Sequence, residues 1–210
     1  MPHFFSGQPG ASKRLEALTD GVFAIAATLL VLEIRVPDLE QVPEKEQLWF
    51  TIRHVGPSFL AFFISFLNVL IFWTNLDAVG QVTRYFTMRL TYLTIFFLLF
   101  ISIVPFTTRF VTEYPRNLSA VTAYGAALFI CSLLGTFMYH HIAFGSDMMD
   151  PAIRPEARKK VYRQVLMGPV TFAVGILGGF ISVYIPIVLY ALVPVVFLFM
   201  PGLRGELAEE

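Results

Sequence analysis

Arg14-Leu15-Glu16-Ala17-Leu18-Thr19-Asp20-Gly21-Val22-Phe23-Ala24-Ile25-Ala26-Ala27-Thr28-Leu29-Leu30-Val31-Leu32-Glu33-Ile34-Arg35 is an apolar run with charge at both ends and Asp20 and Thr28 inside it. On a helix Ile25, Thr28, Leu29 and Leu32 fall at i, i+3, i+4 and i+7 and share one stripe, with Ala24, Ala26 and Ala27 as small surfaces beside it. Such a stripe, apolar with one hydroxyl, suits the wall of a narrow pore. By spacing alone the commoner reading is a face packed on a neighbouring helix or on lipid. An ionisable group within an apolar span costs about 2.5–3.5 kcal/mol on insertion scales unless it faces protein or water, so Asp20 is expected to point inward. Its available partners are Arg14, Thr19, the indole N–H of Trp73, and Asn75.

The whole chain has the same character. Hydrophobic residues make up 56% and charged residues 14% of the 210, and mean hydropathy is +0.69. These values indicate an all-α membrane protein, and at about 20 residues per crossing the length holds roughly six transmembrane helices in a single domain, residues 1–210. Equal numbers of basic and acidic residues, 15 each, argue against a nucleic-acid partner. The lone Cys131 forms no internal disulfide. Lys13 and Arg14 before an apolar stretch imitate a signal peptide, but Ala24-Ile25-Ala26 lies within the run rather than after it, so the segment reads as retained.

After a polar tail over residues 1–12, spans are expected at about Lys13 to Ile34, Leu48 to Trp73, Leu90 to Pro105, Leu118 to Tyr139, Val165 to Tyr184 and Pro186 to Met200. Gly56-Pro57 marks a kink or the start of the continuous second helix, and Pro105 closes the third. Asp147 to Arg163 reads as a polar loop broken by Pro151 and Pro155, and Pro201 to Glu210 as an acidic tail. With the N-terminus inside, Lys13, Arg14, Arg84, Arg89, Arg154, Arg158, Lys159, Lys160, Arg163 and Arg204 are cytoplasmic. Arg35, Lys45, Arg53, Arg109 and Arg116 are then outside. Ten against five places both termini in the cytoplasm.

Asp20-Gly21-Val22-Phe23-Ala24-Ile25-Ala26 and Thr28-Leu29-Leu30-Val31-Leu32-Glu33-Ile34 together resemble the first helix of the transmembrane protein 175 family. Ser65-Phe66 with Phe72-Trp73 resembles that family's second helix, Pro105-Phe106-Thr107 the end of its third, and Gly168-Pro169 the start of its fifth. Two departures stand out. The family's Phe-Ser-Asp is here Leu18-Thr19-Asp20, and the histidine usual after the tryptophan is replaced within Thr74-Asn75-Leu76-Asp77.

The resemblance implies a potassium channel of the bacterial plasma membrane, leaky and weakly selective over sodium. Four identical subunits would each present the first helix to a central pore. Ile25, Leu29 and Leu32 then correspond to the hydrophobic constriction or gate, and Thr28 to the layer that sets ion selectivity. Arg14, Thr19, Asp20, Trp73 and Asn75 correspond to a structural polar network near the cytoplasmic end of that helix. Its partners would be potassium ions, membrane lipids and copies of itself, with no cofactor and no metal beyond permeating potassium.

Two other readings remain open. Asp20 as a titrating group fits a proton-coupled transporter or proton-conducting pathway, and aromatic helices without conduction fit a membrane scaffold. No nucleophile-and-base arrangement or phosphate-binding glycine loop is present, so no enzyme is indicated. His140-His141 are adjacent and point about 100° apart on a helix, which does not make a shared metal site. Gly175 and Gly179 form a small-xxx-small pair suited to close helix packing. Glu33 and Arg35 read as a solvated edge or as charges drawing cations to an outer mouth.

Overall fold

The computed structural model describes residues 9–199 apart from 36, 41 and 146, with side chains described from 13 to 197. Six helices follow one another: α1 (Pro9–Leu29), α2 (Glu44–Gln81), α3 (Met88–Glu113), α4 (Leu118–Phe144), α5 (Pro155–Gly179) and α6 (Tyr184–Phe199). α1 runs directly into a 3-10 turn, Leu30–Glu33. Five of the helices are long and apolar enough to cross a membrane; α6, at 16 residues, is apolar but shorter. The protein is an all-helical, multi-pass membrane protein. The expected polar tail lies outside the described residues up to position 8, and Pro9–Ser12 already belong to α1; the acidic tail with Arg204 lies wholly outside them.

Several boundaries differ from expectation, each for a local reason. α3 does not stop at Pro105 but continues two turns to Glu113. A proline removes one backbone donor and leaves the carbonyl four residues earlier, Ile101 O, without its helical partner, a loss that packing against neighbouring helices makes tolerable in a membrane helix. Here Pro105 is buried in the bundle beside Ile101 and Val104, and the helix runs on through it. α2 runs through Gly56-Pro57 and on to Gln81. Its 38 residues at 1.5 Å each exceed a hydrocarbon core of about 30 Å, so its ends stand beyond the apolar layer. α5 begins at Pro155, so the basic stretch expected as loop forms its first turns. The fixed φ of proline suits a helix start better than a helix interruption. Side-chain oxygens of Thr87 and Asn117 cap α3 and α4 by accepting from Leu90 N and Ser119 N.

α4 is the central element, packed most extensively against α3 and α5, while α6 lies on α5 and also meets α2 and α4. Tyr190 of α6 slots into the α4/α5 seam. Its ring and hydroxyl occupy the space that a Cβ at Gly125 or Gly175 would need, and the ring packs against Tyr124 and Phe172. Gly179 likewise lies against Leu118 and Pro186, so the glycines of α5 serve close packing. At the end of the bundle where α2 finishes, Arg84 N donates to Met148 O and Asp150 N to Val82 O, lacing the two loops there together. The bond pair buries Met148 and Met149 in what reads from sequence as a polar loop. α1 sits at the edge of this assembly, and among the described residues it packs on α2 and α3 only.

Candidate pore-lining helix and its polar ends

Edge placement gives α1 two different faces. Thr19, Phe23, Ala26 and Ala27, with Leu30 of the following turn, are buried against α2 and α3. The small Ala26 and Ala27 let the backbones approach, and Phe23 packs against the Phe97 ring of α3 at 6.0 Å between centroids. The opposite face leaves Ile25 61%, Leu29 42% and Leu32 69% exposed, with Thr28 exposed among them. The stripe expected from spacing is therefore one continuous open face rather than an internal packing surface.

Thr28 donates its hydroxyl proton back into the helix, with Ala24 O at 2.9 Å and Ile25 O at 3.0 Å. This back-bonding is common for threonine in helices. It also has a chemical consequence. With the proton directed inward, the oxygen lone pairs are left for whatever stands on the open face.

At the N-terminal end of this face Trp73 Nε1 donates to Asp20 Oδ1 at 2.9 Å, joining α1 to α2. The other residues grouped with Asp20 from sequence go elsewhere. Thr19 turns its hydroxyl to Leu15 O at 2.8 Å, Arg14 is exposed, and Asn75 lines a small separate cavity of about 50 Å³ deeper in the bundle. Asp20 itself borders a cleft of about 220 Å³ shared with Glu16, Asp77, Trp73 and Thr94. A carboxylate there faces a water-sized space rather than hydrocarbon, which removes most of its burial cost.

At the other end the 3-10 turn places Glu33 and Arg35 beside the last turns of α3. Arg35 Nη2 lies 2.8 Å from Glu113 Oε1, Arg109 Nε lies 3.2 Å from the same oxygen, and Glu33 Oε2 lies 3.7 Å from Arg109 Nε. The sequence reads Glu33 and Arg35 as a solvated edge or as charges drawing cations to an outer mouth, and does not join them to Arg109 and Glu113.

A second polar feature was not found from sequence. Ser65 of α2, Tyr124 of α4 and Thr108 of α3 form a buried hydroxyl chain, with Ser65 Oγ 2.9 Å from both Tyr124 Oη and Thr108 Oγ1. Thr108 donates its one proton, shared between Ser65 Oγ and Val104 O at 2.9 Å each, and Ser65 in turn is bonded to Tyr124. The chain ties three helices behind α1. His140, meanwhile, packs on the rings of Phe144 and Tyr162.

A family model described as the endosomal/lysosomal potassium channel TMEM175 matches residues 14–105, the segment holding α1, α2 and most of α3. The chain is similar to a protein of Chamaesiphon minutus called a potassium channel. The two are 29% identical over 177 residues, covering 83% of this chain and 87% of that protein. It is also similar to TMEM175 of Bos taurus, called an endosomal/lysosomal proton channel, with 36% identity over 135 residues, 60% of this chain and 28% of the longer relative. In fold it matches a crystal structure described as a lysosomal potassium-selective channel TMEM175 homolog from Chamaesiphon minutus. That match has a TM-score of 0.78 and 27% identity, covering 90% of this chain and 97% of the other.

Proposed function

Because the chain belongs to the transmembrane protein 175 family, we propose that it is a potassium channel, a weakly selective leak pathway across the bacterial plasma membrane. The observation that carries this reading is the open face of α1, with Ile25, Leu29 and Leu32 around the Thr28 hydroxyl. Four copies arranged about an axis turn these faces toward one another as a single six-helix unit repeated four times. Rings of large apolar side chains make a neck in which an ion loses its water at great cost, and such a neck gates by dewetting. Thr28 oxygens, their protons held by Ala24 O and Ile25 O, offer the partial coordination that favours potassium over sodium. Asp20, bonded to Trp73, holds the inner end of the helix in place. Both termini are cytoplasmic, from the excess of Lys and Arg at the end of the bundle that carries Lys13, Arg84 and Lys159. The reaction is passage of an ion, not catalysis.

A second reading has one observation in its favour. Asp20 borders a water-sized cleft, as a proton-relay carboxylate requires, and the Bos taurus relative is called a proton channel. The experiment that separates the two is ion flux from proteoliposomes with a potassium gradient, using wild type, Ile25→Ala, Thr28→Val and Asp20→Asn. Potassium flux that rises in Ile25→Ala and loses its preference over sodium in Thr28→Val supports the channel. Asn keeps an acceptor for the Trp73 indole, so Asp20→Asn removes charge without removing the bond. Proton movement abolished by that change, with no potassium flux in any form, would replace the channel with a proton pathway. A folded sample that passes neither ion is a scaffold.

A further inference from the structure

The ion pairs beyond Leu32 form an alternating chain, Glu33, Arg109, Glu113 and Arg35, with Arg109 and Glu113 each shared between two partners. Two members come from the segment leaving α1 and two from α3. The spacing explains the match. Ile34, which ends the 3-10 turn, has extended backbone (φ −82°, ψ 105°), so Glu33 and Arg35 on either side of it point the same way and stand about 6 Å apart. Arg109 and Glu113 are one turn apart on α3, also about 6 Å. Glu33 is the least exposed of the four, with 17% of its side chain accessible, and it follows Leu32 directly.

We infer that Glu33, Arg35, Arg109 and Glu113 form a bracket at the outer end of the pore helix. It fixes the axial height and rotation of Leu32, the outermost side chain of the constriction. They are positioning residues: they act on conduction through where Leu32 stands, not by touching the ion. The α-to-3-10 transition at Leu30 is the place where the end of α1 is able to turn, since 3-10 geometry in a helix is a less well bonded, hinge-prone form. Leu30 is fully buried and anchors the hinge, whereas Leu32 is 69% exposed and is held by little packing of its own. The bracket supplies that hold. This inference rests on the channel reading, and it differs from a mouth that merely attracts cations, because the bracket needs alternating charge and is indifferent to which element carries which sign.

The test uses the full chain in proteoliposomes, with potassium flux and potassium-over-sodium preference read together. Arg109→Glu sets three carboxylates against one another, and Glu33→Arg adds a third cation; each should change flux by about threefold or more and alter the ion preference. The fully inverted set, Glu33→Arg with Arg35→Glu, Arg109→Glu and Glu113→Arg, keeps the net charge and restores the alternation. It should return flux and preference to the wild-type values. A charge-attracting mouth would not recover in that variant, since the sign nearest the passage is reversed. Arg35→Gln, the mildest change, guards against variants that fail to assemble, and elution from a sizing column identifies such failures. Equal flux in wild type, Arg35→Gln and the single reversals overturns the bracket while leaving the channel standing. No potassium flux in wild type removes the channel reading and the bracket with it.

Discussion

Asp20 shows how a single residue reconciles charge with an apolar helix. It lies within the charge-flanked run of α1, yet its carboxylate accepts from Trp73 Nε1 and borders a cleft large enough for water. A hydrogen bond to a charged acceptor contributes more than a neutral one, and solvent on the other side of Asp20 reduces that gain. Trp73→Phe, which keeps an aromatic ring but deletes the donor and part of the indole's packing, is expected to cost about 1–3 kcal/mol and lower the melting temperature by several degrees in detergent. Asp20→Asn retains an oxygen acceptor and should melt closer to wild type than Trp73→Phe does. The reverse order, measured by thermal denaturation of matched samples, would mean that charge and not the bond holds α1 to α2.

Among the elements, the seam of α4, α5 and α6 is where shape decides most. Tyr190 has its hydroxyl buried without a hydrogen-bond partner among the described residues, pressed between Gly125 and Gly175. An added Cβ at Gly125 meets the hydroxyl first and then the ring carbon that bears it, at 2.6 Å, whereas one at Gly175 meets the ring edge first. Overpacking costs about 1–3 kcal/mol where a neighbour cannot move. Gly125→Ala and Gly175→Ala should therefore both lower the melting temperature, and Tyr190→Phe should relieve Gly125→Ala in part and leave Gly175→Ala unrelieved. Relief of neither would show that the ring, not the hydroxyl, is the rigid contact. Comparable contrasts explain what the sequence made legible. The six helices follow from long apolar runs, and the one-sided stripe of α1 from its 3.6-residue period. Pro105 misled because a proline buried among neighbouring helices is held in line by packing, which local pattern does not show. Residues 155–163 read as loop because charge suggested solvent, but Pro155 was the start signal and not the stop. The bracket of Glu33, Arg35, Arg109 and Glu113 and the chain through Ser65, Tyr124 and Thr108 join residues more than forty positions apart. No spacing rule reaches that far.

For the whole molecule the decisive fact is how α1 stands in one copy. Among the described residues α1 is packed on α2 and α3 alone and turns Ile25, Leu29 and Leu32 outward, so the proposed pore face has nothing opposite it there. Lipid is an adequate solvent for leucine and isoleucine, and a threonine that bonds back into its helix is tolerated there, but the proposed passage demands a facing surface of like chemistry. A ring of identical copies gives every such face the same neighbour, and closed cyclic symmetry is the usual way chains satisfy that demand. The expected mass in detergent, by light scattering corrected for bound detergent, is four times the 23.7 kDa of one chain. Geometry supplies a sharper check. In a Cys131→Ala background, Ile25→Cys should form disulfide-linked dimers under mild oxidation, because neighbouring copies bring this position together at the narrow neck. Phe23→Cys, two residues away on the buried face, should not. Cross-linking at both positions would indicate a helix free to rotate, and cross-linking at Phe23 alone would put the opposite face of α1 on the axis and displace Ile25, Leu29 and Leu32 from the constriction.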